Sequence, residues 1–199
     1  MNITDILFSA FGGYLLGSIP FGLLIATLFG QGDIRKIGSG NIGATNVLRT
    51  GRKDLALITL FLDAGKAGIA ALIFTSLISY HGGLIAGAMA LIGHCFPIWL
   101  KFKGGKGVAT FLGCLLATAW PLGLMACAIW LLTAFIFRIS SLSALIAAIT
   151  APLIAFILGY KAIAIMATVL CVVIYIRHKD NILRILSGDE PKIGAKKKS

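Results

Sequence analysis

Two short glycine-rich stretches hold most of the residues to which chemistry can be assigned. The first reads Lys36-Ile37-Gly38-Ser39-Gly40-Asn41-Ile42-Gly43-Ala44-Thr45-Asn46-Val47-Leu48-Arg49. Glycines let a backbone turn so that successive N–H groups converge, and such a concavity suits an anion. Ser39, Asn41, Thr45 and Asn46 add neutral polar groups, and Gly40 adds backbone freedom. Arg49 ends the run with a planar fork that grips a phosphate through two hydrogen bonds. The spacing Gly38-x-Gly40-x-x-Gly43 formally matches a dinucleotide fingerprint, but an apolar run precedes it where a strand is required, so that reading fails. The second stretch reads Lys101-Phe102-Lys103-Gly104-Gly105-Lys106-Gly107-Val108-Ala109-Thr110. It is not a Walker A loop, because the earlier glycine is missing and Gly107 replaces the hydroxyl residue. Gly104, Gly105 and Gly107 nevertheless lead straight into an apolar run, and a helix N-terminus after glycines is an anion site for which Lys106 supplies the counter-charge. Lys101 and Lys103 fit the simpler role of membrane anchors.

Three further features carry polar chemistry. His178 and Asn181 lie three apart in Arg177-His178-Lys179-Asp180-Asn181, on one face of a continuing helix. His178 can take a proton near neutral pH. Ser141 and Ser143 follow Arg138, where helix capping alone accounts for them. Asp63 and Lys66 sit three apart inside an apolar run, where pairing lowers the cost of burial. A structural pair near the site is expected there, with a proton or ion relay as the alternative.

The elements that position these residues follow from composition. Of 199 residues, 58% are hydrophobic and 13% charged, where a soluble chain has about a quarter charged. Lipid is the natural solvent for such a surface. The apolar runs predict an all-α integral membrane protein with seven spans, over 6–29, 55–77, 84–100, 108–119, 122–137, 142–158 and 162–176. The stretch 108–137 would measure about 45 Å as one helix, long for one span and short for two, and Trp120-Pro121 divides it. Charge placement decides the count. With seven spans and the N-terminus outside, every Lys and Arg except Lys66 and Lys161 falls on the cytoplasmic side, 16 of 18. The net charge of +11 is thus a topology signal and not a nucleic-acid footprint. One polytopic domain over 1–199 is expected, with a mobile basic tail from about 191 that contains Lys196, Lys197 and Lys198. Met1–Asp5 has no basic segment before the first apolar run, so that span is expected to be retained. Cys95, Cys114, Cys127 and Cys171 form no C-x-x-C pair, and neither a disulfide framework nor a metal site is expected.

The combination of Gly17-Ser-Ile-Pro-Phe-Gly22, the 38–46 loop, Gly93-His94 through Thr110, and Arg177-His178 with Asn181-Ile-x-Arg184 resembles the PlsY family of bacterial acyl-phosphate:glycerol-3-phosphate acyltransferases, nearly end to end. The resemblance implies a seven-helix protein of the inner membrane with its active site facing the cytoplasm. It implies transfer of a fatty acyl group from acyl phosphate to the sn-1 hydroxyl of glycerol 3-phosphate in phospholipid synthesis, without cofactor or metal. By motif it places catalytic roles on Lys106, Ser141, His178 and Asn181. Substrate binding falls on Ser39, Gly40, Asn41, Thr45, Asn46, Arg49, Gly104, Gly105, Gly107 and Ser143. Either His178 or a substrate phosphate takes the hydroxyl proton. The partners implied are the two substrates and membrane lipid, and no oligomeric state follows. Two phosphate-bearing substrates require two anion sites, which is the number of basic glycine loops. A transporter for an anionic solute is the competing class, motivated by Asp63 and Lys66.

Overall fold

The structure is a computed structural model that describes residues 1–194; the Lys196, Lys197 and Lys198 portion of the expected tail lies outside the described residues. All regular structure among the described residues is helical. The chain forms two compact units, Met1–Gly123 and a second beginning at Leu124.

The first unit contains α1 (Ile3–Gly17), α2 (Phe21–Leu28), the single turn α3 (Ala44–Val47), α4 (Lys53–Leu77), α5 (Tyr80–Cys95) and α6 (Val108–Thr118). It also holds the start of α7 (Trp120–Phe137). The second unit holds the rest of α7 with α8 (Ser140–Ile157), α9 (Lys161–Arg177) and α10 (Lys179–Leu186). Among the described residues, five helical stretches are long and apolar enough to cross a membrane: Ile3–Leu28, Lys53–Leu77, Tyr80–Leu100, Trp120–Phe137 and Ser140–Ile157. Counting α9 and α10, bent by 65°, as one span gives six, while α6 is a shorter apolar helix. Large apolar side chains face outward on these helices, among them Phe135 at 84% and Ile157 at 80% exposure. In water that surface would be costly, whereas in lipid it is ordinary.

Two helix breaks have readable causes. The stretch 6–29, expected as one helix, divides after Gly17 and resumes at Phe21. Pro20 has no N–H and pushes Ile19 out of the helical region. The second break falls at Ala119, where Pro121 in the first turn of α7 favours a new helix start.

With no hydrophobic drive between helices in lipid, small residues permit the closest backbone approach. In the first unit α5 packs against α1 and α4, and α4 also packs against α6. Gly13 and Gly17 of α1 lie directly on the backbone of Ala86 and Ala90, so that a Cβ at either would collide with main chain that cannot swing aside. Gly17→Ala is therefore expected to lower the melting temperature in detergent clearly, at about 1–3 kcal/mol of overpacking. Gly65→Ala on α4, where a Cβ meets nothing nearer than 3.9 Å, should be neutral or stabilising. Equal effects of the two substitutions would contradict this packing.

Candidate active site

The first glycine loop is seated on an apolar floor. Ile25, Ala26, Ile34, Ile42, Val47, Leu55 and Ala56 form a buried cluster on which Phe21, Leu23 and Leu100 pack. Above it Asn46 is buried and organises the loop from inside. Its Nδ2 donates to the carbonyls of Ile34 at 2.7 Å and Ile37 at 3.2 Å. Its Oδ1 accepts from the Ser39 backbone N–H at 3.2 Å and from Arg49 Nη1 at 3.3 Å. Gly38 adopts φ 56°, and a side chain there would strike Asn46 Oδ1 and the Arg49 side chain. Asn46 thus fixes Ser39 and Arg49, which are both exposed, and Thr45 is exposed beside them. The Gly40 N–H turns inward to the Ile37 carbonyl at 3.0 Å, and Asn41 is half-buried.

The two neighbouring arginines are neutralised. Arg35 pairs with Asp33 at 2.7 Å, and its hydrogen bond holds the Asp33 carboxyl at about 2. Arg52 pairs with Asp54 at 2.6 Å. Arg49 forms no ion pair among the described residues, and its side-chain hydrogen bond there is to a neutral amide. Its charge is thus available to an anion. Asn46→Ala removes five hydrogen bonds from a buried position, a long one from Ser39 Oγ at 3.5 Å included. It should speed tryptic cleavage after Arg35 or Lys36 by about tenfold or more, because the orphaned carbonyls and Ser39 N–H favour local opening. Unchanged cleavage would show that the loop is held by other contacts.

The second loop leaves α5 through a turn at Pro97 and two left-handed residues, Lys101 at φ 52° and Phe102 at φ 62°. It then folds back onto the helix it left. Gly104 N–H donates to the Cys95 carbonyl at 3.1 Å and Gly105 N–H to the His94 carbonyl at 3.0 Å. Both amides therefore cap the end of α5, satisfying carbonyls that a helix C-terminus leaves without partners. Gly107, at φ 79°, turns the chain into α6. Lys106 between them is half-buried, whereas Lys101 and Lys103 are exposed.

In the second unit the polar residues converge on Glu190. Its Oε1 accepts from Ser141 Oγ at 2.7 Å and from Asn181 Nδ2, and its Oε2 accepts from Arg184 Nε at 2.7 Å. Burial opposes the charge on this carboxyl, but the three hydrogen bonds outweigh it and hold the group below the ordinary glutamate range. Arg138, at φ 58°, separates α7 from α8 and binds the turn just past Glu190: Ile193 N–H donates to its carbonyl at 2.6 Å, and Nη2 donates to the Ile193 carbonyl at 3.0 Å. His178 sits at the bend between α9 and α10, 2% exposed, with Nδ1 2.8 Å from the Ile174 carbonyl. A carbonyl can only accept, so Nδ1 carries a proton and, in the neutral ring, the lone pair lies on Nε2. Ser143 is fully buried and donates to the Ile139 carbonyl of its own helix at 2.9 Å.

The family model described as Glycerol-3-phosphate acyltransferase matches residues 7–188. The chain belongs to this glycerol-3-phosphate acyltransferase family. A relative of that name from Maricaulis maris is 62% identical over 189 residues, covering 95% of this chain and 88% of its own length. Another, from Dinoroseobacter shibae, is 60% identical and covers 93% and 91%. A solved crystal structure of PlsY, an integral membrane glycerol 3-phosphate acyltransferase in its glycerol 3-phosphate form, matches with TM-score 0.89 and 40% identity over 95% of this chain and 96% of that one. The lysophosphatidic acid form of PlsY matches with TM-score 0.87 and 39% identity, over 95% of each chain.

In this acyltransferase-family chain, Glu190 belongs to none of the sequence motifs. Its available signal is compositional: it is the only glutamate in a chain with seven acidic residues, and it lies just past Arg184 in the last motif.

Proposed function

We propose that this chain transfers a fatty acyl group from an acyl phosphate to the sn-1 hydroxyl of glycerol 3-phosphate, giving lysophosphatidic acid and inorganic phosphate. The observation that carries this reading is the near full-length family match, across all four motifs. The glycerol 3-phosphate and lysophosphatidic acid forms of the similar PlsY correspond to substrate and product of that reaction.

The hydroxyl oxygen bonds to the acyl carbon, the bond from that carbon to the phosphate oxygen breaks, and phosphate departs with its electrons. An acyl phosphate is already activated, so the reaction calls for no cofactor or metal. Catalysis then reduces to holding two anions and placing the hydroxyl against the acyl carbon. Arg49 and Ser39 hold one phosphate, assisted by Gly40, Asn41 and Thr45, with Asn46 fixing their geometry. Lys106 meets negative charge from the turn formed by Gly104, Gly105 and Gly107, at the start of α6. His178, fixed at the bend by its Nδ1–H bond to the Ile174 carbonyl, is one acceptor for the hydroxyl proton, and a substrate phosphate is the other compatible with the chemistry. Ser141 and Asn181, joined through Glu190, complete the catalytic set, with Ser143 supporting the helix turn beneath Ser141. The topology that fits has seven spans, with α6 as the short one, the N-terminus outside and the basic loops in the cytoplasm of a bacterial inner membrane. Residues 1–199 act as one polytopic domain, and the surrounding lipid holds the acyl donor.

Purified full-length protein supplied with acyl phosphate and glycerol 3-phosphate should form lysophosphatidic acid and phosphate in equal amounts. Product formed from acyl-CoA but not from acyl phosphate would overturn the donor. Uptake of glycerol 3-phosphate into liposomes without product would overturn the reaction.

A further inference from the structure

A buried cluster beneath the second glycine loop is not accounted for by the roles above. Asp63 and Lys66 lie on α4, and His94 is in the last turn of α5; their side chains are only 3%, 3% and 4% exposed. Lys66 Nζ stands 2.9 Å from Asp63 Oδ1 in a buried ion pair. The same Nζ donates to the Ile19 carbonyl at 3.0 Å, an oxygen freed from helical pairing by the break before Pro20. It also lies 2.8 Å from His94 Nδ1. An ammonium has only donors. Nδ1 must therefore accept, and the neutral ring carries its proton on Nε2. Asp63 Oδ1 is 3.5 Å from the same Nδ1, poised to attract a proton there if Lys66 were absent.

The other edge of the ring meets the loop. Nε2, Cε1 and Cδ2 of His94 occupy the space that any side chain on Gly105 would need. The Gly104 and Gly105 amides are bonded to the two carbonyls that end α5, one of them that of His94 itself. Contact therefore runs from Ile19 through Lys66 and His94 to Gly105, the residue before Lys106. Burying two charges costs several kcal/mol per ion, and apolar packing would serve stability as well. The arrangement is better explained by geometry.

We propose that Asp63, Lys66 and His94 are positioning residues for Lys106. The ion pair holds His94 as the Nε2–H tautomer, and that ring edge seats Gly105 so that Lys106 meets a substrate phosphate. The role of Lys106 assigned above is the footing for this proposal.

The test uses full-length protein in nanodiscs with ¹⁵N-labelled histidine, where His94→Gln assigns the His94 signals among the three histidines. His94 should show a bare Nδ1 and a protonated Nε2 from about pH 6 to 8. Lys66→Met should move the proton to Nδ1 or charge the ring, because Asp63 then faces Nδ1 alone. In kinetics, Lys66→Met and His94→Ala should raise KM for the same substrate whose KM Lys106→Ala raises, by about tenfold. Neither should add its full effect on top of Lys106→Ala, and His94→Gln should recover part of the loss. An Nδ1–H tautomer in the active unaltered protein overturns the positioning role alone. So does a loss of activity that follows only the amount of folded protein, with both KM values unchanged. Failure of the unaltered protein to transfer an acyl group removes the reaction, and the role of Lys106 with it.

Discussion

Arg49→Ala and Lys106→Ala should each lower acyl transfer by about 10²–10³-fold, the cost of removing one preorganised donor from developing charge, while Lys101→Ala stays near the unaltered rate. The contrast follows from surroundings and not from residue type. Lys101 and Lys103 are exposed at the mouth of the loop, whereas Lys106 is half-buried between two glycines whose conformations admit no larger residue without strain or collision. Arg49 differs from Arg35 and Arg52 in the same way. Those two are neutralised by Asp33 and Asp54, whereas Arg49 forms no ion pair among the described residues and donates to the Asn46 amide oxygen. Arg49→Lys distinguishes charge from shape. If the guanidinium grips a phosphate with two parallel bonds, lysine restores little of the lost rate. Initial rates across concentrations of both substrates measure all four variants, and equal mild effects would return both loops to the role of membrane anchors.

What the sequence made legible divides by distance along the chain. The apolar runs, the break at Trp120-Pro121 and the two glycine loops are local patterns; all the runs reappear as helix, although 6–29 divides in two and α6 is a short apolar helix. The break before Pro20 was legible too, yet an unbroken apolar run outweighs one proline when only hydropathy is followed. Asn46 reads as a surface donor because it stands among Ser39, Asn41 and Thr45. Its inward direction depends on carbonyls nine and twelve positions away, at Ile37 and Ile34. Glu190 lies 49 positions from Ser141, and His94 lies 28 from Lys66. No periodicity reports such meetings, since they arise only when whole helices pack. Residue types that gather in each loop, and the local Asp63–Lys66 pair, are thus legible in sequence, whereas buried partners distant in sequence such as Glu190 and His94 are not.

Glu190→Ala should reduce both stability and activity, and the two losses share one cause. The carboxylate is 7% exposed and receives donors from Ser141, Asn181 and Arg184. Removing it leaves Ser141 and Asn181 without that acceptor in a buried setting, at about 1–3 kcal/mol for each orphaned group. Because both are assigned to the reaction, their displacement should cost rate as well as melting temperature. Glu190→Gln keeps the shape but turns an amide donor toward at least one existing donor, so it should fall between. The carboxyl's folded pKa lies below its unfolded value, near 4.5. Its stabilisation is therefore complete above about pH 4.5 and is lost as pH falls through the folded value. Melting curves in detergent at decreasing pH should show the unaltered protein converging on Glu190→Gln below that point. A constant gap between them would mean that Glu190 acts through packing and not through its charge.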